Sequence, residues 1–110
     1  MEPLPLLKGT LDVLVLKALA WEPMHGFEIS AWIEGRSSGS LEIEDGALYY
    51  ALHRLEERGL ISSEWRITEN NRRARYYRIR PAGRTYLRNE GANLARYAQA
   101  LTQILASPSS

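Results

Sequence analysis

The segment that most constrains this chain runs from Asp45 to Arg80. Its first part places Leu48, Leu52 and Leu55 at i, i+4 and i+7, with Ala51 beside them, the spacing that lines one face of a helix. Asp45 is the expected N-cap and Gly59 the expected stop, since a short acidic side chain accepts from free N–H groups and glycine tolerates the left-handed exit turn. The pattern predicts a helix over about residues 45–58. Two runs rich in β-branched and aromatic residues follow, 60–67 and 74–80, separated by the polar turn Thr68–Arg73. They read as a β-hairpin with a basic tip. A helix with one buried stripe that runs directly into a hairpin leaves few architectures open.

The flanking segments narrow them further. Residues 10–20 read as a helix, with Thr10 as N-cap, Asp12 near the positive helix end, and a stripe of Leu11, Leu14, Val15 and Ala18 widened by Leu16 and Leu19. Pro23 ends that region. Gly26 opens a second helix, over 26–35, carrying Phe27, Ile29, Trp32 and Ile33 at helical spacing. Ser37–Ser40 form a loop, and Leu41-Glu42-Ile43 alternates as a short strand does. Pro81 ends the second hairpin strand. Residues 82–106 form a last long helix, with Leu87, Leu94 and Leu101 every seven residues, Tyr97 and Ile104 three residues after the last two, and Ala98 and Leu105 flanking the seam. A frayed tail, 107–110, is expected after it. Trp21, Trp32 and Trp65 are expected in the core; the alternative makes one of them, or Tyr97, the wall of a ligand pocket. His25 is expected to close the turn before the second helix by hydrogen bonding.

The order helix, helix, helix, hairpin, helix is that of a winged helix-turn-helix. The fold class is therefore mainly α with a β-hairpin wing, residues 1–81 forming the winged-helix unit and 82–110 a C-terminal dimerisation helix and tail. A major groove admits one helix, so the third helix is the candidate recognition helix and the hairpin the wing.

Net charge seems to argue against a nucleic-acid partner, because 14 basic and 13 acidic residues leave only +1. Its distribution argues otherwise. Residues 1–59 hold five basic and ten acidic groups, a net of −5, while residues 60–110 hold nine arginines and three glutamates, a net of +6. Arg72, Arg73, Arg75, Arg78 and Arg80 fall within nine residues around the hairpin. Arginine offers a planar fork of donors suited to phosphate and guanine edges; a solvated, Arg-rich strand pair is the plainer alternative. The absence of Cys excludes disulfide scaffolds and thiol chemistry. Two histidines without a second ligand nearby leave no metal or cofactor expected, and little with which to build an enzyme. No apolar run reaches membrane-spanning length and the N-terminus lacks a signal-peptide pattern, so a cytoplasmic protein is expected.

Four segments carry a resemblance: Leu7-Lys8-Gly9-Thr10-Leu11-Asp12, His25-Gly26-Phe27-Glu28-Ile29, residues 46–61 (GALYYALHRLEERGLI), and Asn70-Asn71-Arg72-Arg73-Ala74-Arg75-Tyr76-Tyr77. Together, over roughly residues 6–88, they resemble the PadR family of bacterial transcriptional regulators. The resemblance implies a dimeric winged-helix repressor of the short form, with one helix after the wing. It implies that the last helix, with the first, builds the dimer. Tyr49 matches the family's recognition-helix tyrosine, and Arg72 and Arg73 match its basic wing. Tyr50 stands where many members have proline. The resemblance also implies a possible response to a small aromatic effector.

The expected DNA-contacting residues are Gly46, Tyr49, Tyr50, His53 and Arg54 on the third helix, and Asn70, Asn71, Arg72, Arg73 and Arg75 at the wing. For Tyr49 the plainer alternative is packing beside the wing, and for Arg54 it is pairing with a neighbouring glutamate. The expected dimer seam is Leu11, Leu14, Val15, Leu87, Leu94, Tyr97, Leu101, Ile104 and Leu105; for the last helix, intramolecular core is the alternative. The expected function is repression of an inverted-repeat operator by a homodimer. The competing class is a winged-helix protein-interaction module that binds no DNA, for which an arginine-rich tip is not required.

Overall fold

The computed structural model describes residues 2–4, 6–7 and 9–109; Lys8 of the N-terminal motif and Ser110 of the tail lie outside them. Four helices and three strands follow in the order α1 Thr10–Trp21, β1 Met24–His25, α2 Gly26–Arg36, α3 Asp45–Glu57, β2 Ile61–Ile67, β3 Arg73–Ile79 and α4 Pro81–Ala106. The architecture is mainly helical with a small antiparallel sheet, a winged helix-turn-helix with a long C-terminal helix. The three strands lie in the order β1-β3-β2.

One core joins all these elements. Val15, Leu16, Leu19 of α1, Ile29 and Ile33 of α2, Ala51, Leu52 and Leu55 of α3, and Ile61 and Ile79 of the hairpin are all buried. Helical spacing turns the stripes of α1 and α3 toward each other. At the end of α3 the chain turns as expected. Gly59 adopts φ 73°, its N–H bonds to the Glu56 carbonyl, and Leu60 N–H bonds to the Leu55 carbonyl, the pairing that closes a helix through a left-handed residue. Leu60 then enters the core and β2 begins.

Several local expectations shift. Gly9 rather than Thr10 is the N-cap of α1, and Glu44 rather than Asp45 that of α3; neither makes a side-chain cap. In α1 the first-turn amide of Thr10 is met by backbone instead, donating to the Leu7 carbonyl. The 41–43 segment forms no strand, only a single parallel bridge between Leu4 and Leu41. β1 is an addition: Met24 and His25 pair with Tyr77 and Tyr76, a two-residue match with no alternation long enough to read. Trp21 and Trp65 are exposed, at 66% and 56%, not core. Trp21 is the last residue of α1, beyond the buried stripe, where Arg36 stacks on it and on Trp32. Trp65 lies on the outer half of the wing. Trp32 packs half-buried against the core.

α4 is joined to this body at its first turns. Pro81 occupies the opening position, where its missing N–H is not needed. Gly83 is buried with the Leu60 carbonyl against it: a Cβ there falls 2.2 Å from that oxygen and 2.9 Å from Ile79 Cγ1. Tyr86 and Leu87 pack on the core, and Arg58 lies 4.6 Å from the Tyr86 ring centre. Leu11 and Val15, expected at a dimer seam, are 7% and 0% exposed inside this chain's own core, so neither offers the outward apolar surface that a seam needs. Leu14 and Leu87 are also partly spent there. From Ala95 onward every described residue of α4 is exposed.

Gly83→Ala is expected to cost about 1–3 kcal/mol by overpacking, a fall in thermal midpoint of about 4–8 °C for each kcal/mol. Gly35→Ala, where a Cβ meets nothing within 4 Å, is expected to be neutral or slightly stabilising. A thermal melt of both variants checks the contrast.

Candidate nucleic-acid interface

The exposed ridge of α3 follows from its buried stripe. With Leu48, Ala51, Leu52 and Leu55 turned inward, Gly46, Tyr49, Tyr50, His53 and Glu57 face outward. Tyr49 and Tyr50 are each 64% exposed. Their rings meet edge to face at 5.6 Å, and the His53 ring lies nearly parallel to Tyr49 at 6.4 Å. His53 Nε2 sits 2.9 Å from Glu57 Oε1. This aromatic, hydrogen-bonding ridge is two-sided: Tyr49 and His53 lean toward the wing, Tyr50 and Arg54 toward the N-terminal arm.

α2 supports the approach to that ridge from below. His25 caps it: Glu28 N–H donates to His25 Nδ1 at 3.3 Å, and His25 N–H donates to Glu28 Oε1 at 3.1 Å. This reciprocal pair is a capping box with histidine in place of the usual hydroxyl. The expectation that His25 closes the turn by hydrogen bonding is met.

The wing turn closes by Thr68 N–H to the Arg72 carbonyl and Asn71 N–H to the Thr68 carbonyl. Asn71 takes φ 59°, a conformation asparagine adopts more readily than most residues. Asn70, Asn71, Arg72 and Arg73 are exposed around the tip. A cleft of about 800 Å³ runs from Tyr49 and the start of α2 to Asn70, Arg72 and Arg73. A second, of about 670 Å³, lies between Tyr49, His53 and Glu57 on α3 and Trp65 and Arg75 on the wing.

The arginines expected at this surface divide into two kinds. Arg54 Nη2 donates to Asp12 Oδ1 at 2.6 Å, tying α3 to α1 rather than to a nearby glutamate. That bond holds the Arg54 guanidinium above its ordinary pKa, against the opposing effect of desolvation. Arg75 Nε donates to Ser63 Oγ at 2.8 Å, and its Nη2 lies 3.5 Å from Glu56 Oε1; Ser63 Oγ in turn donates to Glu56 Oε2 at 2.6 Å. Arg75 thus braces the wing against α3. Beneath it, burial keeps the Tyr77 hydroxyl protonated above the usual tyrosine range, with Arg75 pulling the other way. Arg72 and Arg73 have no carboxylate within 4 Å among the described residues. Sequence reasoning missed both tethers and the exposure of Trp65. The pairing of Asp12 with Arg54 spans 42 positions, and only the tertiary fold brings it together.

Comparison with known proteins matches this geometry. Residues 15–89 match the Transcriptional regulator PadR-like family. The chain belongs to that family. A transcriptional regulator of Mycobacterium tuberculosis is 36% identical over 86 residues, covering 77% of this chain and 76% of the relative. The structure of a transcriptional regulator from Clostridium thermocellum superposes with a TM-score of 0.77 at 29% identity, covering 87% of this chain and 93% of that one. The PadR of Bacillus subtilis, solved in complex with operator DNA, shares the fold with a TM-score of 0.65 at 18% identity, over 73% of this chain and 45% of its own. The membership makes this PadR-like chain a transcriptional regulator rather than an enzyme.

Arg54→Ala strands a carboxylate that is only 12% exposed at its side chain. The expected loss is about 1–3 kcal/mol of stability, below the range for a fully buried pair because Arg54 itself is half exposed. Chemical denaturation measures it.

Proposed function

We propose that this PadR-like chain binds double-stranded DNA as a homodimer and represses transcription from an inverted-repeat operator. The observation that carries the reading is the shared cleft: Tyr49 of the outward ridge of α3 and two arginines without carboxylate partners line it together. In this reading α3 enters a major groove, where Tyr49, Tyr50 and His53 meet base edges. Gly46 permits close approach, and the wing tip with Asn70, Asn71, Arg72 and Arg73 holds flanking phosphates. Arg54 and Arg75 act mainly by fixing the helix and wing. The operator complex of Bacillus subtilis PadR supports the mode through fold likeness. As a DNA-directed regulator the chain acts in the cytoplasm.

The homodimer rests on α4. Tyr97, Leu101, Ile104 and Leu105 are 60%, 39%, 69% and 82% exposed along one stripe, and Leu94 begins it half-buried. An apolar stripe on a helix about 39 Å long is an aggregation liability unless covered, and a second copy covers it with the same stripe. A cleft of about 650 Å³, apolar around Leu6, Leu11 and Ile43 with Tyr50 and Arg54 at its rim, is the place where a small aromatic effector reaches the recognition helix.

Selection from a random duplex pool is expected to enrich an inverted repeat with half-sites about one turn, roughly 34 Å, apart; no enrichment overturns the reading. Arg72→Ala with Arg73→Ala is expected to weaken binding about tenfold or more and to lower the salt slope by about 2, with the dimer intact. Leu94→Asp with Leu101→Asp is expected to give monomers by light scattering; a persistent dimer places the interface elsewhere.

A further inference from the structure

Strand alternation fixes which wing residues share a face. Ile61, Ser63, Trp65 and Ile67 of β2 stand opposite Ile79, Tyr77, Arg75 and Arg73 of β3, and all eight side chains belong to one side of the sheet. Near the body that side packs on the core through Ile61 and Ile79. Farther out it faces α3 only across an open cleft, yet still carries large apolar side chains: Trp65 is 56% exposed and Ile67 62%. A large indole held in water at the edge of a cleft asks for a reason.

Two guanidinium groups supply it. The Arg73 guanidinium carbon lies 4.8 Å from the Trp65 ring centre and that of Arg75 5.8 Å, both within cation–π range. A guanidinium stacked on an aromatic ring engages through its face, while its N–H donors point outward in its own plane. For Arg75 that edge is already engaged by Ser63 and Glu56. For Arg73 no carboxylate of the described residues competes. A free arginine loses much rotamer freedom on meeting a phosphate; one already held on an indole loses less.

The geometry points to Trp65 as a positioning residue of the wing: its indole face holds Arg73 with the donor edge free for a phosphate of the DNA strand lying between α3 and the wing. This inference rests on the DNA-binding reading above. Trp65 acts through Arg73 and reads no base.

The test is a double-mutant cycle on a short random-sequence duplex, followed by fluorescence anisotropy over a salt series. Trp65→Ala is expected to weaken binding about two- to fivefold, the worth of an exposed cation–π contact, with the salt slope unchanged because no charge is lost. Arg73→Ala is expected to lower the slope by about 1. In the Arg73→Ala background, Trp65→Ala is expected to have no further effect. Trp65→Phe, which keeps an aromatic face, is expected to recover most of the affinity, and Trp65→Leu, which keeps only apolar bulk, is not. Wild-type affinity in the Trp65→Leu variant, or additive effects in the cycle, overturns the inference while leaving DNA binding intact. Should Trp65→Ala fail to fold, the comparison of Phe with Leu decides alone. A wild-type protein that binds no duplex overturns the DNA-binding reading and this inference together.

Discussion

The seating of α3 on α1 is pinned by a carboxylate that the core nearly swallows. Asp12 is the one charged residue in the buried set of the described chain, 8% exposed. A carboxylate removed from water needs a charged or donor partner, and Arg54 provides it at 2.6 Å. The apolar stripes of α1 and α3 press the two helices together without direction; hydrophobic contact is not oriented. The Asp12–Arg54 bond is oriented. It adds an oriented contact to the rotation that the buried stripe of α3 already sets, and so helps to hold Tyr49, Tyr50 and His53 outward. The arginine that sequence spacing assigns to the DNA surface thus governs that surface from behind.

The wing follows the same logic with a different partner. Arg75 and Ser63 close on Glu56 of α3, so the hairpin is tied to the helix through side chains as well as through the core. In the proposed binding mode, where a groove and a flanking backbone are read at once, such a tether helps, because each independent motion between helix and wing is freedom lost on binding. The division of labour among arginines is set by which of them meet carboxylates. Arg54 and Arg75 meet them and serve the fold; Arg72 and Arg73 do not, and remain open to phosphate.

What the sequence made legible was whatever repeats or terminates locally. Leu48, Leu52 and Leu55 announce α3 because helical period is written in adjacent turns. Gly59 announces its end because few residues accept that backbone angle, and His25 announces a cap through Glu28 three residues on. The hairpin was readable from its aromatic and β-branched runs. Pairings set by the fold were not readable. β1 has two residues, too few for any period. Asp12 meets Arg54 across the chain. The exposure of Trp65 follows from the open cleft left between the wing and α3, which no residue near Trp65 records. Val15 illustrates the converse error: a wide apolar face on α1 fits a subunit seam and a core equally well, and the elements that pack on α1 are α2, α3, the hairpin and α4 of the same chain.

Charge shows how the two halves are matched. The acidic first half includes Asp45 and Glu57 on α3, both exposed beside the proposed reading ridge. A duplex that approaches in the wrong register brings its phosphates against those carboxylates, which costs free energy. A duplex in the right register brings them against Arg72 and Arg73. In the proposed mode, discrimination arises partly from repulsion on the helix and partly from attraction at the wing. Neither effect is visible in a net charge of +1. The apolar stripe of α4 completes the constraint. If two copies join along it, the spacing of the two ridges is fixed, and a single favourable register must satisfy both at once.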